Sequence, residues 1–149
     1  MGKDIDPRMH SAEHILNQTM VRMFNCGRSF SAHIEKKKSK CDYHFDRVLT
    51  EEETRELANR VNDIVDANLP VTEEYVTMEQ AGRDYNLDRL PDDAGDTIRI
   101  VRIGDYDACP CIGPHVDTTK KIGYFRISSL NFENGVLRIR FKLDRVKES

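Results

Sequence analysis

Two short clusters, roughly a hundred residues apart, carry the side chains that one transition-metal ion would take as ligands. The first is His10-Ser11-Ala12-Glu13-His14, an H-x-x-E-H pattern. The second is Cys109-Pro110-Cys111-Ile112-Gly113-Pro114-His115, which contains C-x-x-x-H. On a helix, positions 10 and 14 lie one turn apart and about 40° around the axis, so both imidazoles can point at one atom. Nitrogen and sulfur ligands together suit zinc, which is borderline-soft, tetrahedral and redox-silent. His10, His14, Cys111 and His115 are the expected metal ligands. Cys109 is the spare thiol, read more readily as a small buried hydrophobe, with Pro110 helping to aim the two cysteines apart.

Glu13 lies about 60° from His10 on the side opposite to His14, so all three residues share one arc of the helix. A carboxylate there can serve as general base to a water at the metal. It can equally be an ordinary acid in a helix N-terminal half, favoured by the helix dipole.

These residues need elements to hold them. Asp6-Pro7 predicts an N-cap with proline at the first helical position. Ile15, Leu16, Met20, Met23 and Phe24 continue at helical spacing until Cys26-Gly27 ends the run. Residues 29–35 and 41–48 read as two strands around the basic turn Lys36-Lys37-Lys38-Ser39-Lys40. Thr50-Glu51-Glu52-Glu53 is a capping box, and Leu57, Val61, Ile64 and Val65 form the stripe of a second helix reaching to about Leu69 before Pro70. Residues 71–76 read as a strand, 79–89 as a short helix and 91–96 as a loop. Ile98, Ile100, Val101 and Ile103 form a strand leading into the second metal motif. Tyr124 to Phe132 pairs with Val136 to Leu143 across Asn134-Gly135, a type I′ turn pair. Leu137, Ile139, Phe141 and Leu143 then face one way and Arg138, Arg140 and Lys142 the other. The expected fold is α+β, a single domain over residues 1–149, with an antiparallel sheet packed by two main helices and a C-terminal hairpin.

The 149 residues suffice for a core without disulfide staples. Four cysteines without regular spacing favour metal binding in a reducing compartment over a bridge framework. The N-terminus has no apolar signal region and no stretch is long enough to span a bilayer, so the expected location is cytoplasmic, without membrane association. In that setting the Asn17-Gln18-Thr19 sequon is accidental. A net charge of −3 means that any nucleic-acid contact must use local basic patches. Two are available: Lys36, Lys37, Lys38 and Lys40 in the turn, and Arg138 and Arg140 with Lys142 on the hairpin. Each can equally be a solvated strand edge. Phe30, Tyr43 and Tyr124 are candidates for stacking on bases, or are core residues.

The pattern H-S-A-E-H-I-L, then C-x-G-P-H-V, then Thr118-Thr119-Lys120-Lys121-Ile122-Gly123-Tyr124-Phe125-Arg126-Ile127 resembles the second additional domain of threonyl- and alanyl-tRNA synthetases. Most similar are the freestanding alanyl editing proteins, and the resemblance covers roughly residues 8 to 143. It implies an editing fold in which His10, His14, Cys111 and His115 hold Zn2+. The implied activity is hydrolysis of mischarged tRNA, typically serine or glycine on alanine tRNA, with the tRNA 3′ acceptor end as partner. It also places Ser29, Ser31 and His33 along the amino-acid pocket. The chain departs from the alanyl pattern at Glu13, where threonine is usual, and at Pro114, which is closer to the threonyl-type loop. H-x-x-E-H also occurs in the small S-ribosylhomocysteine lyases, a rival reading. A catalytically silent, zinc-stabilised module binding tRNA or a synthetase is a third.

Overall fold

The computed structural model describes residues 6–84 and 97–144. Asp6 opens helix α1 (Pro7–Phe24): its carboxylate accepts from the Arg8 and Met9 amides at 2.8 and 3.3 Å, and Pro7 occupies a first-turn position that has no use for an amide. The helix ends one residue before the expected Cys26-Gly27. Asn25 takes a left-handed conformation (φ 55°) and its amide closes onto the Val21 carbonyl.

Strands β1 (Ser31–His33) and β2 (Ser39–His44) are shorter than the runs predicted from the sequence. Helix α2 (Glu51–Asp66) begins with the expected capping box, Thr50 and Glu53 each bonding the other's amide. It stops short of Leu69, because Asn68 turns left-handed (φ 54°) and Thr119 takes over the chain end. The Thr119 hydroxyl donates to the Ile64 carbonyl at 2.7 Å and accepts from the Leu69 amide at 2.9 Å. Next come β3 (Val71–Thr77), α3 (Met78–Asp84) and β4 (Thr97–Ile103). The remainder of the helix expected over 79–89, and the loop expected at 91–96, lie outside the described residues.

The chain then departs from its predicted path. The β4 strand does not lead straight into the metal motif. It turns back as β5 (Asp107–Pro110), paired antiparallel with β4 from Ile103↔Asp107 to Ile100↔Pro110. A four-residue strand with an acid at one end and a proline at the other has no alternation to announce it. After a 3₁₀ turn (Thr119–Ile122), β6 (Phe125–Glu133) and β7 (Val136–Leu143) form the expected hairpin. Asn134 and Gly135 both have positive φ, 51° and 80°, as a type I′ turn requires.

The pairing is antiparallel throughout, as expected, but it is divided between two sheets, β1-β2-β7-β6 and β3-β4-β5. One face of the larger sheet presents Cys41, Tyr43, Leu137, Ile139 and Phe141, all fully buried against Ile15, Leu16 and Met20 of α1 and Leu57 and Val61 of α2. The smaller sheet carries β5 to the flank of α1, and so delivers the loop after Pro110 to the helix's polar residues.

Candidate metal centre

Helix α1 is not amphipathic in its first half. Every residue from Met9 to Asn17 is buried, including the polar side chains of His10, Ser11, Glu13, His14 and Asn17. Buried polar groups are costly unless partnered, so this face must be organised around something.

The loop after β5 supplies that organisation. Cys111 Sγ lies 3.2 Å from His10 Nε2 and 3.4 Å from His115 Nε2. The ligand atoms of His10, His14, Cys111 and His115 all fall within 4.8 Å of one another. In a tetrahedral zinc site the sulfur-to-nitrogen edge is about 3.5 Å, from bond lengths of about 2.3 and 2.0 Å. The two measured edges match that figure, and the donor set is one zinc favours. The four residues expected from the sequence are therefore brought together, and they could hold a metal ion.

Two of the three imidazoles are hydrogen-bonded from behind. His10 Nδ1 sits 3.0 Å from the Pro114 carbonyl and His115 Nδ1 sits 2.9 Å from Ser11 Oγ. Those partners leave both Nε2 atoms toward the sulfur. His14 Nδ1 lies 3.6 Å from Asp107 Oδ2, within ion-pair range but beyond a hydrogen bond, on the side from which a carboxylate supports a metal-ligating imidazole. Asp107 is in turn gripped by Arg28, at 2.7 and 3.3 Å, and by Gln18 at 2.8 Å.

The Cys111 thiol and the imidazoles act on one another's charge, and a metal would displace the proton that His14 otherwise holds. Burial opposes the Cys111 thiolate, but contacts with His10, His115 and His14 outweigh it and bring the thiol down to about 3. Burial also opposes protonation of His14, yet Asp107 and Cys111 raise it to about 9. Burial would raise Asp107, but His14 and Arg28 hold it well below the usual carboxylate range. His115 is lowered to about 4 by burial. Cys109 lies outside the four-ligand set; burial pushes its thiol up to about 11, and its Sγ lies against the Pro110 carbonyl.

The loop itself is clamped. Arg99 donates to the Gly113 carbonyl at 2.7 Å and to that of Cys111 at 3.3 Å, while its own carbonyl accepts from the Cys111 amide. Beside the cluster lies Glu13, 4% exposed, with Oε1 3.8 Å from His10 Nε2. Asn17 donates to Glu13 Oε2 at 3.4 Å and accepts on Oδ1 from the Tyr43 hydroxyl and the Ser29 amide.

The other expected site residues fall elsewhere. Ser29 is buried against Asn17, whereas Ser31 and His33 are exposed on β1, His33 bonding Glu35 at 2.7 Å. Tyr43 is fully buried and unavailable to a base. Phe30 is 42% exposed and stacks on His44 at 4.0 Å, and Tyr124 is 54% exposed. Lys36, Lys37 and Lys38 are exposed, and Lys40 and Arg140 half-buried. Arg138 is neutralised by a two-pronged contact with Asp42 at 2.8 and 2.9 Å. A sequence reading misses Ser11, Asn17, Gln18, Arg28, Arg99 and Asp107. Asn17 alone leaves a local trace, four residues after Glu13 on the same helix face.

Asp107 offers a direct check on this architecture. Asp107→Asn keeps the shape but removes the charge that orients His14 and matches Arg28. Zinc affinity measured by chelator competition is expected to fall about 10- to 100-fold. Unchanged affinity would show that the carboxylate does not support the ligand.

The sequence that builds this site is similar to known proteins. Residues 98–146 match the family described as "Threonyl and Alanyl tRNA synthetase second additional domain", and the chain is related to that domain. Among individual relatives it is similar to the alanine–tRNA ligase of Treponema denticola, 28% identical over 91% of this chain and 23% of the ligase. It is also similar to the threonine–tRNA ligase of Dehalococcoides mccartyi, 30% identical over 85% of this chain and 22% of that one. The alanine–tRNA ligase of Carboxydothermus hydrogenoformans is 32% identical over 80% of this chain and 14% of its own length. The chain thus spans less than a quarter of each of these proteins. Among the described residues no helix is long and apolar enough to cross a membrane.

Proposed function

We propose that this chain is a zinc-dependent editing hydrolase that deacylates mischarged aminoacyl-tRNA, with seryl- or glycyl-tRNA(Ala) as substrate. The observation that carries the reading is the buried carboxylate of Glu13, 3.8 Å from an imidazole of a compact three-histidine, one-cysteine cluster. Similarity to both ligase types supports an aminoacyl-tRNA substrate.

When bound, zinc supplies a Lewis acid and locks the four side chains in place. The chain's own part is acid–base chemistry and positioning. Glu13 accepts a proton from the attacking water. That water's oxygen bonds to the ester carbonyl carbon, the bond from that carbon to the ribose oxygen breaks, and the proton passes to the departing ribose hydroxyl. Asn17 holds the carboxylate in line through Oε2. An aminoacyl ester is intrinsically labile, so an oriented 3′-terminal ribose and one placed base suffice. Ser31 and His33 on β1 would contact the amino acid or terminal nucleotide, and Lys36, Lys37, Lys38, Lys40 and Arg140 the tRNA backbone, while Arg138 stays paired with Asp42.

Four protein ligands close a tetrahedral site, and closed sites are commonly structural. That favours, as a second reading, a zinc-stabilised module that binds tRNA without turnover. Deacylation of Ser-tRNA(Ala), Gly-tRNA(Ala) and Ser-tRNA(Thr) separates the two. The expected result is release of serine and glycine from tRNA(Ala), with Ser-tRNA(Thr) slower. No release from any of the three would leave the binding module standing.

A further inference from the structure

The larger sheet has a second face, turned away from α1 and α2. Across it runs a row of four register partners, one per strand: His33 on β1, Lys40 on β2, Arg140 on β7 and Ser129 on β6. Lys40 and Arg140 are direct cross-strand neighbours of like charge, an arrangement that destabilises a sheet unless something negative sits over it. The next rung shows how the fold normally meets this problem, since Asp42 faces Arg138 and the two are bonded. Among the described residues Lys40 and Arg140 lack such a bonded acid, although the Asp42 charge reaches both. Among the described residues no carboxylate lies in ion-pair range of Lys38, Lys40 or Arg140, and the Arg140 guanidinium is steadied by Asn131 Oδ1 at 2.9 Å, a neutral partner.

The row opens into a concavity of about 300 Å³ lined by His33, Glu35, Lys38, Ser39, Lys40 and Arg140. Its wall is rigid. Ser39 Oγ accepts from the Glu35 amide and donates to the Glu35 carbonyl, tying down the β1–β2 turn. The one carboxylate present, that of Glu35, is engaged by His33 at 2.7 Å. Lys38, Lys40 and Arg140 therefore share a pocket of phosphate-to-nucleotide size with the single carboxylate of Glu35, an excess of two positive charges.

We propose that this pocket binds a backbone phosphate of single-stranded RNA. That the polyanion is RNA rests on the editing reading above; the anion site itself does not. Four residues of chain, at most about 13 Å when extended, separate His33 from Ser29, whose amide is held by Asn17 beside Glu13, a distance a few unpaired nucleotides can span. Phosphate contacts fix the position of a strand without reading its sequence, which suits an invariant 3′ end.

The test is fluorescence anisotropy with a labelled single-stranded RNA ending in CCA, over a salt series. The Lys40→Ala/Arg140→Ala double variant is expected to bind about tenfold more weakly, with the log–log salt slope shallower by about 0.7, the share of one phosphate charge on a single strand. Arg55→Ala on α2, outside the pocket, is expected to match wild type. Inorganic phosphate is expected to shift the Lys38, Ser39 and Lys40 amide resonances in wild type and not in the double variant. Should the alanine pair unfold the sheet, Lys40→Gln/Arg140→Gln gives the same comparison. An unaltered affinity and slope would overturn the proposal, as would a poly-glutamate peptide that competes as well as the RNA. The two readings fail separately: RNA bound here without deacylation defeats only the editing reading, and deacylation with binding unaffected by the double variant defeats only this one.

Discussion

Gly113→Ala is expected to reduce zinc affinity by at least about a hundredfold, although residue 113 offers no ligand atom. A Cβ built at this position would lie 2.3 Å from His10 Cε1 and 2.6 Å from His10 Nδ1, far inside van der Waals contact. His10 cannot simply step aside. Its Nδ1 is held by the Pro114 carbonyl at 3.0 Å, its Nε2 approaches Cys111 Sγ at 3.2 Å, and its ring stacks on His115 at 4.1 Å. The loop cannot step aside either, because Arg99 grips the carbonyls on both sides of Ile112. One of these attachments must break, and each breakage disturbs a ligand. The glycine is thus required for close approach and not for an unusual φ. Gly27→Ala is the matching control: nothing lies within 4 Å of a Cβ there, and its affinity is expected to equal wild type. Chelator competition on purified variants reads both. A Gly113→Ala protein that holds zinc as wild type does would mean that the loop is free to move and the ligand cluster is not preorganised.

The same glycine illustrates how the site was written in the sequence. Local signals carried well. The Asp6-Pro7 cap, the Thr50–Glu53 capping box and the Asn134-Gly135 turn each depend on residues a few positions apart, and each formed as the spacing predicts. The ligand set was legible because metal chemistry restricts which residues can serve, so two distant clusters of rare residue types point to one another. What supports those ligands was not legible. Asp107 reaches His14 across 93 positions and Arg28 across 79, and neither contact leaves a periodic trace. Strand β5, which delivers Asp107, was missed for the same reason: it is too short to alternate and ends in proline. The division into two sheets followed from that missing strand. Tyr43 shows the converse limit, since its hydroxyl end points at Asn17 inside the core, and an aromatic on a β-strand cannot be sorted into core or binding surface by type alone.

Glu13→Gln is expected to slow deacylation about a hundredfold or more while zinc remains bound, the ordinary cost of losing a positioned general base. The substitution is nearly isosteric, and Glu13 is not among the four ligands, so elemental analysis should return the wild-type metal content. Asp6 caps α1 without Glu13, and although Arg28 feels the Glu13 charge, its hydrogen bonds go to Asp107. Glu13 is a buried acid 3.8 Å from the imidazole nitrogen that faces the cluster, and Asn17 donates to its Oε2. A group so placed is costly to bury, and the cost is intelligible if a proton must be taken up at that point. Asn17→Ala should then show a milder version of the same loss, because it removes the orienting bond without removing the base. Undiminished deacylation by Glu13→Gln would retire the base, and loss of zinc together with activity would make Glu13 a support for His10 instead.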